Sequence, residues 1–204
     1  MARRYRFSTC ALLTAAFACQ AAGSSIPSSN LTIVLSFKGA HSQQSITYMQ
    51  REAEVILRPT GLSLDWKMAQ EASQGNYADL VVVQFKGTCR VEPIPFVYDE
   101  LGPLAFTYSA DGAVQPFGEV ACDKVAATVR SAMDGSDIRN GDLLLGRALG
   151  RVLVHELVHM LTRSGEHARD GVERRALSGQ QLIATSLPLS TADLARIRRV
   201  QKFH

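Results

Sequence analysis

The sequence has 204 residues, of which 46% are hydrophobic and 20% charged, and its formal net charge is +3 at pH 7. Three of its 22 Lys+Arg residues and none of its Asp+Glu residues lie in positions 1–22, which leaves 19 basic against 19 acidic residues in the rest of the chain. This balance gives no support to nucleic-acid binding, which typically needs a clustered basic face.

The first 22 residues have the layout of a secretory signal peptide. Three arginines precede an apolar run of small residues over 7–22, the arrangement that export signals use. The run is too short to span a bilayer comfortably, although an uncleaved N-terminal anchor is the alternative. Residues 16–18 fit a lipobox at Cys19 poorly. We therefore predict a signal peptide over 1–22, a secreted or periplasmic protein without a lipid anchor or a membrane span, and one domain over 23–204.

Two cysteines, Cys89 and Cys122, remain after the signal peptide. An even pair in an exported chain is most simply one disulfide, which would contribute about 3–4 kcal/mol of stability. Two free buried thiols are the alternative. No Cys-x-x-Cys spacing is present, so neither cysteine is expected to bind zinc.

The first half of the remaining chain predicts a strand, a helix and two further strands. Ser42 or Ser45 can begin the helix, residues 62–66 alternate as a half-buried strand does, and residues 80–83 form the continuous apolar run of an interior strand. The four predicted elements cover 31–37, 42–58, 62–66 and 79–85.

The middle of the chain has weaker signals. Three prolines within 91–103 predict a loop, which is followed by a short strand over 104–108 and a turn over 110–112. A short helix is predicted over 123–133. The residues alone leave open whether the 104–108 strand lies at a sheet edge or inside the sheet.

A long apolar helix is predicted over 143–161, beginning near Asn140 or Asp142. A helix that is apolar nearly all round is buried, and a buried charged group must be paired or ligated. The polar residues within it are Arg147, Arg151, His155, Glu156 and His159.

His155, Glu156 and His159 form a His-Glu-x-x-His motif in this helix. Residues four apart on an α-helix lie about 40° from each other around the axis and about 6 Å along it. Both imidazoles can therefore reach one ion of zinc size, and Glu156 can accept a proton from a metal-bound water. The alternative is a pair of core histidines that only make hydrogen bonds.

A third ligand is predicted just after the helix. Gly165 suits the left-handed cap residue, and a chain that turns back there can bring His167 beneath the two helical histidines. A catalytic zinc site has three protein ligands and one open position. Ser190-Thr191 then begins a final helix over 192–202. The alternative for His167 is an exposed loop histidine, with an acidic third ligand in its place: Glu166, Asp170 or Glu173.

The motif and the turn resemble the zincin metallopeptidases, nearest to the metzincin clan, whose pattern is His-Glu-x-x-His-x-x-Gly-x-x-His followed by a turn with methionine. The segment from His167 to Arg174 is also similar to small secreted bacterial metzincin-like proteins. Three positions depart from the clan pattern. His167 lies eight residues after His159 rather than about six, Thr162 stands in the glycine position, and Glu173 stands in the methionine position.

This resemblance implies an α+β fold, in which a mixed β-sheet packs on helices and a buried central helix carries the motif. It also implies one catalytic Zn²⁺ held by His155, His159 and His167, with Glu156 as general base. Peptides or proteins would be the substrates, and the 104–108 strand would be the sheet edge that binds them. The alternative is an exported zinc-binding protein whose degenerate site does not catalyse.

The sequence leaves the oxyanion-stabilising group open and indicates no oligomeric state. The candidates for the oxyanion are backbone amides and the side chains of Arg151, Tyr98 and Tyr108.

Overall fold

The computed structural model describes residues 30–72, 75–91 and 102–201. The predicted signal peptide and Tyr98 lie outside these residues. Within them, short 3₁₀ helices at Arg58–Thr60 and Asp137–Asn140 precede β2 and α4. The strands and α-helices, in chain order, are β1 (Asn30–Phe37), α1 (Gln43–Leu57), β2 (Ser63–Met68), α2 (Ala69–Ala72), β3 (Leu80–Lys86), β4 (Ala105–Ala110), β5 (Ala113–Ala121), α3 (Cys122–Ala132), α4 (Gly141–Thr162), α5 (Gly179–Ile183) and α6 (Thr191–Gln201).

The five described strands form one mixed sheet in the order β2-β1-β3-β5-β4. Strands β1, β2, β3 and β5 are parallel, and β4 is antiparallel to β5 at one edge. The inner strand β1 is buried on both faces from Leu31 to Leu35, and four of these five residues are apolar, which is why hydropathy alone predicts it. The predicted mixed sheet packed with helices is confirmed. The strand predicted at 104–108 is the edge strand β4 rather than an inner strand.

Strand β5 is absent from the elements that the sequence pattern predicts. Pro116 and Gly118 lie inside it, and both residue types are depleted in strand interiors. Pro116 falls where the β4–β5 register shifts between Thr107 and Ser109, and regular pairing of β5 with β3 begins at Phe117. The strand accepts a proline because that position lies outside both regular hydrogen-bond ladders.

Helix α4 packs very closely on α1. A β-carbon at Gly146 would lie 2.6 Å from the Ser45 carbonyl oxygen, and one at Gly150 would lie 2.8 Å from the Met49 carbonyl oxygen. These two glycines let the two backbones approach each other, and 16 of the 22 residues of α4 are buried. The helix that carries the His-Glu-x-x-His motif is therefore held rigidly.

The two arginines of α4 bind neighbouring chain segments. Arg151 has no exposed surface, and its Nε donates to Glu52 Oε1 at 2.8 Å. Arg147 and Arg151 also donate hydrogen bonds to backbone carbonyls at the end of α5. The sequence pattern does not predict this helix. These carbonyls belong to Gln181, Leu182, Ile183 and Ala184.

The predicted disulfide between Cys89 and Cys122 is present, and both residues are buried. It joins the turn after β3 to the first residue of α3. The backbone N–H of Thr88 also donates to Asp123 Oδ1 at 2.9 Å across the same junction.

The end of α4 differs from its prediction. The helix continues to Thr162, and the left-handed cap is Arg163, with a φ of 50°, rather than Gly165. A residue with a β-carbon costs roughly 1–2 kcal/mol in this backbone conformation. The local sequence therefore does not indicate that Arg163 is the cap.

No helix in the described part of the chain combines the length and hydropathy needed to cross a bilayer.

Candidate metal centre

Two histidines of α4 face each other through their Nε2 atoms, which lie 3.2 Å apart. The Nδ1–H of His155 donates to the Val172 carbonyl at 3.0 Å, and the Nδ1–H of His159 donates to the Ser164 carbonyl at 2.7 Å. Because these bonds assign the proton to Nδ1, each Nε2 presents a lone pair. Two lone pairs at this distance repel each other unless a cation lies between them. This donor pair therefore fits a metal ion.

The third imidazole comes from the segment after α4. His167 is exposed, and its ring centre lies 5.2 Å from that of His155 and 4.8 Å from that of His159. Each of the three residues offers a ligand nitrogen, and these atoms lie within 4.8 Å of one another. Three nitrogen donors that are open to solvent on one side suit zinc, which in catalytic sites keeps one position for water.

Burial keeps these histidines neutral. Loss of solvation lowers the pKa of His155 to about 4, against the opposing effect of its bond to the Val172 carbonyl. Burial likewise lowers the pKa of His159 and, together with the neighbouring His159, that of His167. Metal ligation requires the neutral imidazole, so all three side chains are in the required form at pH 7.

Glu156 lies between the histidine pair and the edge strand. Its side chain is almost fully buried, and the Thr107 hydroxyl of β4 donates to its Oε2 at 2.6 Å. Burial raises the pKa of Glu156 to about 7, while the Thr107 hydrogen bond acts in the opposite direction. No local sequence pattern indicates Thr107 as a site residue, because its contact with Glu156 links residues 49 apart.

Gly118 allows α4 to approach the sheet at this point. It pairs with Thr107 in the β4–β5 ladder. A β-carbon at Gly118 would lie 2.5 Å from Met160 Cε and 3.9 Å from the β-carbon of Glu156. A β-carbon at this position would therefore displace the flexible end of the Met160 side chain and would lie in van der Waals contact with Glu156.

Glu173 lies behind the histidine rings with no exposed surface. Its carboxyl oxygens are 3.5 Å from His155 Nδ1 and 4.0 Å from His159 Nδ1, and neither oxygen has a hydrogen-bond partner among the described residues. Burial, reinforced by nearby Asp193, raises the pKa of Glu173 to about 9. The backbone carbonyl of Glu173 accepts a hydrogen bond from the N–H of Ala168 at 3.0 Å.

The acidic alternatives to His167 do not join the cluster of ligand atoms. Glu173 lies on the Nδ1 side of the rings, opposite the Nε2 donors. The side chain of Glu166 is 81% exposed and pairs with Arg196, and Asp170 is exposed. In the described part of the chain, the residues grouped so that they could hold a metal are the three histidines.

Two of the three side chains that could stabilise the oxyanion bind other groups, and the third is not among the described residues. Arg151, one of the open candidates, is fully buried and bound to Glu52 and to α5, so its guanidinium does not face the site as an oxyanion donor. The Tyr108 hydroxyl donates to Glu119 at 3.3 Å, and Tyr98 is not among the described residues. Among the described residues, backbone amides are therefore the candidates for stabilising the oxyanion.

The mixed sheet, the buried motif helix and the histidine on the following loop together define a zincin-like α+β architecture. The crystal structure of archaemetzincin from Methanopyrus kandleri is similar to it, with a TM-score of 0.52. The likeness covers 87% of this chain and 99% of that chain, at 14% sequence identity. No family model and no curated protein matches the sequence. The fold is therefore similar to that of archaemetzincin, while the small secreted bacterial subtype stays a prediction.

Proposed function

We propose that this protein is an exported zinc-dependent metallopeptidase. The observation that carries the proposal is the convergence of three neutral imidazoles beside the carboxyl group of Glu156. The fold shared with a protein named archaemetzincin supports it. The basic and apolar N-terminus supports export.

His155, His159 and His167 would hold one Zn²⁺ through their unprotonated nitrogens. The bound ion would act as a Lewis acid that lowers the pKa of a water molecule in its open position. Thr107 binds Oε2 of Glu156, which leaves Oε1 to accept a proton. The water oxygen would form the new bond to the peptide carbonyl carbon, and as the C–N bond breaks Glu156 would pass the proton to the leaving amine nitrogen.

Strand β4 is the part of the site that would hold the substrate. It is an edge strand, so one side of its backbone pairs with no described strand. An extended peptide can add to such an edge through backbone hydrogen bonds. Because Thr107 in the same strand also binds Glu156, a peptide on β4 would lie next to the catalytic carboxyl group.

The test is to purify the protein, measure its zinc content by elemental mass spectrometry and assay hydrolysis of unfolded protein substrates. The wild type should hold one zinc per chain and cleave these substrates. Glu156→Gln should retain zinc and lose at least about 100-fold in turnover, since general-base catalysis contributes about 10²–10⁴-fold. Unchanged hydrolysis by Glu156→Gln would show that Glu156 is not the base.

A second candidate is an exported zinc-binding protein without turnover. The observation that favours it is the fully buried Glu173 in the position where the metzincin pattern has methionine. A wild-type protein that holds zinc and cleaves none of the unfolded substrates would support this second candidate and contradict the first.

Export is tested separately from catalysis. We propose cleavage near residues 21–23, so N-terminal sequencing of the protein from the periplasm or the medium should begin close to Ser24. Full-length protein retained in the membrane fraction would instead support the uncleaved anchor.

A further inference from the structure

His167 differs from the other two histidines in what orients its ring. The rings of His155 and His159 are each fixed by a hydrogen bond to a backbone carbonyl. Histidine ligands usually have such a bond, which sets the ring orientation and the tautomer. Among the described residues His167 has no hydrogen-bond partner, and it lies exposed on a loop. The position of His167 must therefore come from the residues on either side of it.

Arg196 of α6 contacts the loop on both sides of His167. Its guanidinium lies 3.6 Å from the carboxylate of Glu166 and 3.9 Å from the carboxyl group of Glu173. Glu166 precedes His167 directly. The backbone carbonyl of Glu173 accepts the hydrogen bond from Ala168, the residue that follows His167.

The guanidinium is itself held in place by a buried acid. Arg196 donates to Asp193 Oδ1 at 2.7 Å, and Asp193 is only 1% exposed. The other oxygen of Asp193 accepts a hydrogen bond from the Ser190 hydroxyl at 2.6 Å. A planar guanidinium that is fixed by one carboxylate can contact two further carboxyl groups at once. A lysine ammonium on its flexible side chain is less able to do so.

We propose that Arg196 is a positioning residue of the metal centre, which acts by holding the loop around His167. The proposal rests on the metal site of the proposed function but not on peptide hydrolysis. It assigns the C-terminal helix a role in metal affinity, although no residue of α6 is a ligand. Arg196 reaches both flanks of His167, through the exposed carboxylate of Glu166 at 3.6 Å and through the buried carboxyl group of Glu173, with which it makes a contact of 3.9 Å and no hydrogen bond.

A purely electrostatic effect of Arg196 has the opposite sign. A cationic guanidinium near the site repels a metal ion, so removal of its charge alone would strengthen zinc binding. Loss of positioning weakens zinc binding, because one of three ligands is no longer held in place. The direction of the change in affinity therefore separates the two effects.

The experiment measures zinc affinity of the purified protein by competition with a chromogenic chelator, together with the visible spectrum of the cobalt-substituted protein. Arg196→Gln should weaken zinc binding about 10–100-fold, the range found when residues that support ligands are changed. Arg196→Lys keeps the positive charge but not the planar guanidinium, and it should weaken zinc binding about 3–10-fold. Arg199→Gln, an exposed change on the same helix, is the matched control and should bind zinc like the wild type.

The same variants are then compared in a His167→Ala background. If Arg196 acts through His167, Arg196→Gln should change affinity less than about 3-fold there, because coupled residues are not additive. Urea unfolding of the metal-free variants provides the folding control. If Arg196→Gln proves unstable because buried Asp193 loses its partner, Arg196→Lys decides the outcome.

Unchanged or tighter zinc binding by Arg196→Lys and Arg196→Gln would overturn the proposal, as would an equal loss with and without His167. A wild type that binds zinc but cleaves no peptide would overturn the peptidase function and leave the role of Arg196 intact. A wild type that binds no zinc would overturn both.

Discussion

The candidate metal centre is built from two unlike regions, the helix α4 and the loop that follows it. The helix supplies two histidines that are largely buried and hydrogen-bonded to carbonyl groups, on a backbone packed tightly against α1. The loop supplies His167, which is exposed, and Glu173, which is fully buried without a hydrogen-bond partner among the described residues. The helix thus fixes its ligands through local geometry, whereas the loop depends on contacts with distant parts of the chain.

This contrast predicts which changes damage the fold and which damage only the metal site. Changes in the helix region should reduce stability as well as metal binding. Changes in the loop region should alter metal binding, or the pH dependence of the free energy of unfolding, without a large loss of stability.

The largest expected effect is on the packing of the helix region. Gly146→Ala places a β-carbon 2.6 Å from the Ser45 carbonyl oxygen, so we expect a loss of about 3 kcal/mol in the free energy of unfolding. Urea denaturation of the metal-free protein measures it. Gly135→Ala is the control, because nothing lies within 4 Å of a β-carbon there, and it should change stability by less than about 0.5 kcal/mol.

The second prediction compares one histidine from each region. His159→Ala removes a buried ring and the hydrogen bond to the Ser164 carbonyl, so the metal-free protein should lose about 1–3 kcal/mol. His167→Ala removes an exposed ring and should cost less than about 0.5 kcal/mol. Both variants should bind zinc much more weakly than the wild type. Equal destabilisation by the two substitutions would contradict the contrast between helix and loop.

The third prediction concerns the pH dependence of the loop region in the metal-free protein. The pKa of Glu173 is raised from 4.5 to about 9, so between these values the folded state binds a proton that the unfolded state releases. The stability that this group contributes is therefore fully present below pH 4.5 and is lost progressively as the pH rises from 4.5 to about 9.

Glu173→Gln removes this dependence, because glutamine does not titrate. The free energy of unfolding of the variant, relative to that of the wild type, should rise by about 1–2 kcal/mol when the pH is raised from 5.5 to 7. Urea unfolding at the two pH values measures the gain. A stability difference that is independent of pH would show that Glu173 titrates normally in the folded protein.

The smallest expected effect tests the link between the edge strand and the helix. Thr107→Val keeps the side-chain shape but removes the hydrogen bond to Glu156 Oε2, and it should lower kcat about 10-fold with little change in KM. Thr107→Ser keeps the hydroxyl and should retain most of the activity. A serine variant as slow as the valine variant would indicate that packing at this position matters more than the hydroxyl.

Much of the fold follows from local patterns in the sequence. The apolar runs and the alternation of polar and apolar residues predict β1, β2, β3 and α1 within a few residues of their observed bounds. The long apolar run predicts α4, and helical periodicity alone brings His155 and His159 together. The cysteine count and the export signal predict the disulfide that the structure contains.

Other features depend on contacts between residues far apart in the sequence. Strand β5 is hidden by Pro116 and Gly118, which are tolerated where the ladders are irregular and where α4 approaches the sheet. The left-handed cap is Arg163, directly after the last helical residue Thr162, rather than Gly165 two residues later.

The sequence by itself determined most of the strands and helices and the pairing of the two histidines of α4, because hydropathy and helical spacing are properties of neighbouring residues, while the class of fold came from the resemblance of its motif to the zincins. Only the tertiary structure decided which group holds Glu156, where Glu173 lies, and what surrounds His167. Thr107 reaches Glu156 across 49 residues, and Arg196 of α6 approaches Glu173 in the loop after α4. Contacts of this kind follow from how the sheet, α4 and α6 pack together, and no local pattern records them.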